Sequence, residues 1–388
     1  MERFDQDPTD PAFVADPYPF YDRLRASGPL AWWDAYAMPV AAGHAEVSAL
    51  LRDRRLGRED PSPPARPAHQ AGFWAVEDHS MLELEPPRHT RLRAQVLRAF
   101  TSRRVAALGP EIAALAEELV AAFPAGPFDL LDAFARPLPV RVIARLLGVP
   151  EADAPSLLSW SNAMVGMYQA GRTRAMEEAA ARAASEFSAY LGDVLRTRAT
   201  APRDDLISAL LAVEAEGTLS RPEVVATCIL LLNAGHEATV HTLGNGVAGL
   251  CAAGLWGAEI TPALVEEVLR HDPPLHLFTR YATEEVELFG HRLARGDQVG
   301  LLLGAANRDP AAYADPARFD PARFPDAATS TSFGAGLHFC LGAPLARLEL
   351  LEGLRVLAAR CPGLRVAEEP RYAPIYHFHG LERLVVAA

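Results

Sequence analysis

Apolar residues recur at helical spacing along most of this chain, and capping or breaking residues bound each of the longer runs. Ser220 and Glu223 have the spacing of a capping box, and Asp272-Pro273-Pro274 ends the next helical pattern. The predicted helices cover residues 88–100, 111–123, 174–198, about 220–254, 261–272 and 344–357, with Thr101 as the cap of one more. The chain is therefore predicted to fold mainly into α-helices.

A smaller part of the sequence predicts short antiparallel strands. Segments 30–33 and 38–42 form one predicted hairpin, segments 286–288 and 291–293 form another around Phe289-Gly290, and a strand follows at 299–303. The proline-rich segment 58–68 is predicted to be an irregular loop. Because no linker or internal repeat divides the sequence, we predict a single domain over residues 1–388, mainly α with a minor antiparallel β part.

The charge balance argues against one large class of partner. The chain has 37 basic and 49 acidic side chains and a formal net charge of −12, whereas nucleic-acid binding needs a basic face. The most apolar run, 224–232, is too short to span a bilayer. The acidic start predicts no secretory signal, and 4 cysteines without a C-x-x-C pair argue against a zinc site or a disulfide framework. We expect no nucleic-acid partner, no membrane association and a cytoplasmic location.

The most specific stretch of the sequence is a glycine-rich window that contains a cysteine. Its specified positions are Phe333, Gly334, Gly336, His338, Cys340 and Gly342. Cys340 stands where a helix begins, and the free N–H groups and positive dipole end of a helix stabilise a thiolate. The glycines allow a tight turn and close approach to a flat partner, while Phe333 is placed to shield the sulfur from water. The alternative is a buried free cysteine, which so many specified positions in one short window disfavour.

This window resembles the haem-ligand loop of the cytochrome P450 family, and the resemblance extends over nearly the whole chain. It implies the cytochrome P450 fold, haem b as the cofactor and Cys340 as the thiolate ligand of the iron, a ligand that favours O–O cleavage. It also implies that O2 is used to oxygenate a small organic substrate. Electrons would come from a ferredoxin and a ferredoxin reductase, because the sequence has no flavin or iron–sulfur module of its own.

Four donor side chains from distant segments match the family's contacts to the two haem propionates. They are His89 and Arg93, one helical turn apart, together with Arg280 and His338. Propionates that enter a protein interior need such cationic or hydrogen-bonding partners.

Glu267 and Arg270 share one helix face, and alone they would be an ordinary exposed ion pair. In the family such a pair is buried and is completed by a later arginine, for which Arg323 is the matching residue. A buried pair needs full hydrogen bonding to offset desolvation. The resemblance therefore assigns these three residues to supporting the cysteine loop.

The central helix carries the motif that the family places beside dioxygen. Ala234 and Gly235 match the small residues that leave room for O2, and Glu237 matches the acid that organises proton delivery. Ala238 stands where the family has a threonine, and Thr239 follows one residue later, about 100° around the helix. Three sources of the missing hydroxyl stay open: the substrate, an ordered water, or a helix distortion that brings Thr239 into use.

Other polar and aromatic residues match the wall of the family's substrate pocket. The candidates are Asn233, Leu277, Phe278 and Phe378, of which Asn233 offers a hydrogen bond within an apolar run. His236 is interpreted as packing. His377 and His379 share one face of a predicted strand and could bind a metal, but the sequence shows no third ligand nearby, so a metal site there is disfavoured.

A basic patch near Cys340 is the expected docking surface for the ferredoxin, with Arg93, Arg103, Arg104 and Arg347 as candidates. Two other functions remain open. One is a peroxide-driven enzyme, which in the family usually lacks the acid that Glu237 provides. The other is a haem-based gas sensor without enzymatic activity, which the oxygen motif and the absence of a signalling domain disfavour.

Overall fold

The structure is a computed structural model of the chain, and it describes residues 1–169, 171–374, 376 and 378–388. His377 lies outside these residues, so the predicted pair of His377 and His379 falls partly outside them.

Helices make up most of the described chain. In chain order they are α1 (Pro11–Ala15), α2 (Tyr18–Ala26), α3 (His44–Leu50), α4 (Ala71–Glu77), α5 (Arg88–Ala99), α6 (Ser102–Ala107), α7 (Gly109–Ala121), α8 (Pro137–Leu147), α9 (Ala154–Val165), α10 (Arg174–Thr200), α11 (Leu206–Ala215), α12 (Arg221–Ala252), α13 (Pro262–His271), α14 (Leu303–Ala306) and α15 (Ala343–Arg360).

The strands are short. They are β1 (Arg3–Phe4), β2 (Ala31–Trp33), β3 (Met38–Ala41), β4 (Leu56–Gly57), β5 (Phe128–Asp129), β6 (Leu277–Ala282), β7 (Val286–Leu288), β8 (His291–Leu293), β9 (Gln298–Leu302), β10 (Arg365–Val366), β11 (Arg371–Tyr372), β12 (Leu381–Arg383) and β13 (Val385–Ala387). The largest sheet has the order β1-β2-β3-β9-β6-β4, and smaller sheets pair β10-β13-β5, β11-β12 and β7-β8. Most pairs are antiparallel, as predicted, whereas β1 with β2 and β3 with β9 are parallel.

Capping residues begin the helices where the sequence predicts. The Thr101 side chain accepts a hydrogen bond from the Arg104 N–H at the start of α6. Glu223 accepts one from the Ser220 N–H at 2.8 Å, which confirms the capping box of α12. The other predicted helices and both predicted hairpins are confirmed within a few residues. The sequence did not single out α8, which has prolines in its first turn, or β6, whose burial does not alternate regularly.

The described chain divides into two compact units. The mixed unit comprises Met1–Ser62, Ala113–Ala135 and Ala238–Ala388, and it contains every strand described above. The helical unit comprises Pro63–Ile112 and Arg136–Glu237. The boundary falls inside α12, after Glu237. The prediction of a single domain stays a prediction.

Each unit has its own buried interior. In the mixed unit, edge-to-face aromatic contacts join Phe13, Phe20 and Trp33 beneath the largest sheet. In the helical unit, the buried alanines and Phe187 of α10 pack in the core with α9 and α4 as neighbours. Among the described helices, none combines the length and the apolar character that a bilayer crossing requires.

Candidate functional site

The backbone of the cysteine loop is shaped by its glycines. Gly334 and Gly336 adopt φ of 65° and 69°, values that favour glycine. A Cβ at Gly336 would lie 2.6 Å from the carbonyl oxygen of Leu51, so a side chain there would collide with backbone. The N–H of Cys340 donates to the carbonyl of Phe333 at 3.0 Å, which closes the loop directly before α15. The window therefore has the conformation that its sequence predicts.

The surroundings of Cys340 suit a single thiolate ligand. Cys340 is half-buried, and a Cβ placed on Gly342 would lie 3.8 Å from its sulfur. Within the described residues, the one group of three or more metal-binding side chains lies elsewhere, at Asp272, His276 and His379. In haem, the porphyrin supplies four nitrogen ligands to the iron, so a single thiolate from the protein is sufficient. The residues present therefore fit haem.

A buried ion-pair network supports this part of the mixed unit. The guanidinium of Arg270 donates to both carboxylate oxygens of Glu267 at 2.7 Å, and both side chains are 0% exposed. Arg323 donates to the same carboxylate at 3.3 Å, as the resemblance implied. Arg270 also donates to the carbonyls of Asn307 and Pro316, so the desolvated charges are fully hydrogen-bonded. The three-residue network is confirmed.

Two predicted propionate ligands lie in the mixed unit. Arg280 is on β6, is 2% exposed and donates to the carbonyl of Thr279 at 2.8 Å. His338 is in a short 3₁₀ turn within the cysteine loop and is half-buried. The burial of Arg280 is consistent with a cation that meets an anionic group inside the protein.

Phe333 and Arg347 lie beside each other at the cysteine loop. The Arg347 guanidinium lies 4.6 Å from the centroid of the Phe333 ring and donates to Glu266 at 2.5 Å. Part of its positive charge is thus neutralised within the chain. Leu337 and Phe339, in contrast, are exposed apolar side chains of the same loop.

The helical unit holds the other predicted ligands. His89 is 1% exposed on α5, and Arg93 follows one turn later and is half-buried.

On α12, a Cβ at Gly235 would lie 2.5 Å from the Ile143 side chain. A larger residue at this position would therefore require Ile143 to move. His236 is 1% exposed and its Nδ1 bonds the Leu232 carbonyl at 2.8 Å, which agrees with packing.

Thr239 has a partner that sequence reasoning missed. Its hydroxyl donates to the carboxyl of Glu349, which is 1% exposed on α15. Burial raises the pKa of Glu349 well above its usual range, and the hydrogen bond from Thr239 opposes this only in part. Burial therefore favours the neutral, protonated form of Glu349. In the sequence, Glu349 could have been noticed as an acidic residue among the apolar positions of the predicted last helix.

Comparison with known proteins identifies the family. A family model described as Cytochrome P450 matches residues 258–357. Cytochrome P450 monooxygenase PikC of Streptomyces venezuelae is 37% identical over 375 residues, which cover 92% of this chain and 87% of that protein. This chain belongs to the cytochrome P450 family.

Further relatives support the same conclusion. The biotin biosynthesis cytochrome P450 of Bacillus subtilis is 35% identical over 384 residues and covers 96% of each chain. The crystal structure of P450BioI in complex with an acyl carrier protein ligated to hexadec-9Z-enoic acid has a TM-score of 0.89 and 34% identity, covering 97% of this chain and 99% of that one. The cytochrome P450 fold is thereby confirmed.

Membership of the cytochrome P450 family settles the class of chemistry. The protein is a haem b enzyme of the monooxygenase type, and its relatives act on organic substrates with O2 and redox partners. The individual roles of the candidate site residues stay predictions.

Proposed function

We propose that this cytochrome P450 inserts one oxygen atom from O2 into a small organic substrate in the cytoplasm, with electrons from a ferredoxin and its reductase. The observation that carries the proposal is a lone thiol in a glycine-shaped loop at the start of α15. Haem bound through a thiolate supplies the activation of O2. The sequence has 4 cysteines and no C-x-x-C pair, which fits a reducing compartment.

In this proposal Cys340 is the iron ligand, and Phe333 and Gly342 shape its surroundings. The propionates are bound by His89, Arg93, Arg280 and His338. Ala234 and Gly235 leave room for O2 on α12. These roles come from the family resemblance, and the deep burial of His89 and Arg280 supports a buried anionic partner.

We further propose that Glu237 and Thr239 deliver protons, and that Thr239 provides the hydroxyl that Ala238 lacks. Support comes from the hydrogen bond that Thr239 donates to the buried, protonated Glu349. For a relay this hydrogen bond reverses: a protonated Glu349 donates to the Thr239 hydroxyl, and the hydroxyl passes its own proton forward.

The variant Thr239→Val tests this role because valine keeps the shape and removes the hydroxyl. We expect product formed per electron pair to fall by up to about 10²-fold, with the missing equivalents released as hydrogen peroxide. Thr242→Val is the matched control: Thr242 lies one turn later on α12, is equally buried, and its hydroxyl donates to the Ala238 carbonyl instead. Equal coupling in both variants would contradict the proposal.

The surroundings of Asn233 support the proposal that the substrate carries a hydroxyl or N–H group. Asn233 is 7% exposed, and its Oδ1 has no hydrogen-bond partner among the described residues, while its amide reaches only the Met164 sulfur at 3.7 Å. An unsatisfied buried acceptor costs about 1–3 kcal/mol, which a substrate donor would relieve. A screen for compounds that shift the haem spin state should therefore favour hydroxylated or amide-bearing molecules.

The electron source is tested by comparing turnover with ferredoxin and reductase against turnover with peroxide. Glu237 favours the first, because the resemblance associates this acid with O2-driven members of the family. Peroxide that supports turnover as well as a ferredoxin does would favour the peroxide-driven alternative. Absence of oxidation with any donor, together with ligand-dependent partner binding, would favour the gas sensor.

A further inference from the structure

Three metal-binding side chains converge in the mixed unit, away from the cysteine loop in sequence. Asp272 follows the end of α13, His276 precedes β6, and His379 precedes β12. Asp272 Oδ1 lies 3.3 Å from His379 Nε2 and 3.9 Å from His276 Nε2, and all three ligand atoms are within 4.8 Å of one another. The other two partners of His379 lie about a hundred residues earlier in the chain, so the sequence around His379 does not predict them.

His276 has a buried nitrogen that the protein does not satisfy. The residue is 0% exposed, its Nδ1 lies 2.8 Å from the Tyr21 hydroxyl, and its Nε2 has no hydrogen-bond partner among the described residues. If Nδ1 carries the proton and donates to Tyr21, the lone pair of Nε2 faces a carboxylate. If Nε2 carries the proton, Asp272 is too far away to accept it. A cation between the two groups would pair with that lone pair in the first case. In the second case Nε2–H has no acceptor among the described residues, so only the first tautomer can bind a metal.

Tyrosine side chains hold the other two ligands in place. The hydroxyls of Tyr372 and Tyr18 donate to Asp272 at 2.6 and 2.7 Å. The Tyr372 ring also stacks on His379, with ring centroids 3.9 Å apart and planes 12° from parallel. Outer hydrogen bonds of this kind orient the ligands of protein metal sites.

One side chain also fixes the backbones of two ligands relative to each other. The amide of Asn245, on α12, donates to the carbonyl of Asp272 at 3.2 Å and to that of His379 at 2.9 Å. The His379 N–H in turn donates to the Pro274 carbonyl at 2.7 Å. The three segments are thus held together before any ligand binds, which lowers the entropic cost of binding.

We propose that Asp272, His276 and His379 form a binding site for a divalent transition metal of the zinc class, separate from the haem iron. Two imidazole nitrogens and one carboxylate oxygen suit zinc, with the fourth position left to water. Ligand atoms of a tetrahedral zinc site lie about 3.3 Å apart. Asp272 and His379 are already spaced for it, whereas His276 must move about 0.6 Å closer to Asp272 and come equally close to His379. The metal would join the end of α13 to the segments before β6 and β12.

The test is zinc binding by the purified haem protein. After chelator treatment, addition of Zn²⁺ and gel filtration, elemental analysis should give about one zinc per haem iron. His276→Gln and His379→Gln should each weaken zinc binding by at least about tenfold. His291→Gln, in the β7–β8 hairpin, is the matched control and should bind zinc as the unmodified protein does.

Zinc that is not retained by the unmodified protein, or that is retained equally by His276→Gln and His379→Gln, would overturn the proposal. If either variant fails to fold, as judged by circular dichroism and the haem Soret band, the zinc X-ray absorption spectrum of the unmodified protein decides instead. It should show two imidazoles and a carboxylate oxygen at about 2.0–2.2 Å. A zinc shell without imidazole would contradict the assignment.

Discussion

The cysteine loop and the buried polar clusters of the mixed unit are built in opposite ways. In the loop, residues 333–342 contain the proposed ligand Cys340, the glycines that shape the backbone and the hydrogen bond that closes it. The pair Thr239–Glu349 and the cluster Asp272–His276–His379 are assembled from segments that are far apart in sequence. The first region can be recognised within one short window, whereas the other two exist only after folding.

The difference shows which interactions a single sequence reveals. Backbone geometry leaves a local trace, because a glycine is required wherever φ is positive or another chain passes closely. Side-chain partnership across the fold leaves no such trace, since any buried acid or histidine has many possible partners.

The largest effect is expected from a change that acts on the loop backbone alone, Gly336→Ala. Its Cβ would lie 2.6 Å from the Leu51 carbonyl oxygen, and the left-handed conformation adds about 1–2 kcal/mol for a residue other than glycine. We expect most of the purified protein to lack haem, as measured by the ratio of Soret to protein absorbance.

Gly363→Ala is the control for this change, because a Cβ at Gly363 would meet nothing within 4 Å. Equal haem content in the two variants would mean that the backbone conformation of the cysteine loop is not needed to hold the cofactor.

A smaller effect is expected at Glu349, where the variant Glu349→Gln imitates the protonated acid. Because burial raises the pKa of Glu349 in the folded state, the folded protein binds one proton more than the unfolded chain above pH 4.5. Stability contributed by the neutral acid is therefore complete below that pH and is lost as pH rises, by about 1.4 kcal/mol per pH unit until the folded pKa is reached.

The measurement is the melting temperature of both proteins between acidic and alkaline pH. We expect the two to agree at acidic pH, and Glu349→Gln to lose less stability than the unmodified protein as pH rises. Parallel curves over the whole range would show that Glu349 is not a buried neutral acid.

Much of the architecture follows from the sequence, and the exceptions have physical reasons. The capping box at Ser220 and the prolines after Asp272 locate α12 and α13 because they act on the neighbouring backbone. The strand β6 lacks regular alternation of buried and exposed residues, so its place in the sheet depends on its neighbours β9 and β4.

The candidate site divides in the same way. Cys340 and the network of Glu267, Arg270 and Arg323 were predicted, the network only through family resemblance, because its third member is about fifty residues away from the first two. The partners Glu349 and His276 were not predicted. Each is a single polar residue among apolar neighbours. The sequence shows that such a residue departs from the apolar pattern, but it does not show which distant side chain it contacts.

The proposed bond between the Cys340 sulfur and the haem iron can be tested with the absorption spectrum of the reduced, carbon monoxide-bound protein. The purified protein should show the red-shifted Soret band of a thiolate ligand, and Cys340→Ala should lose that band even if haem is still bound. A band typical of an imidazole ligand in the unmodified protein, or the same spectrum in both proteins, would contradict the claim.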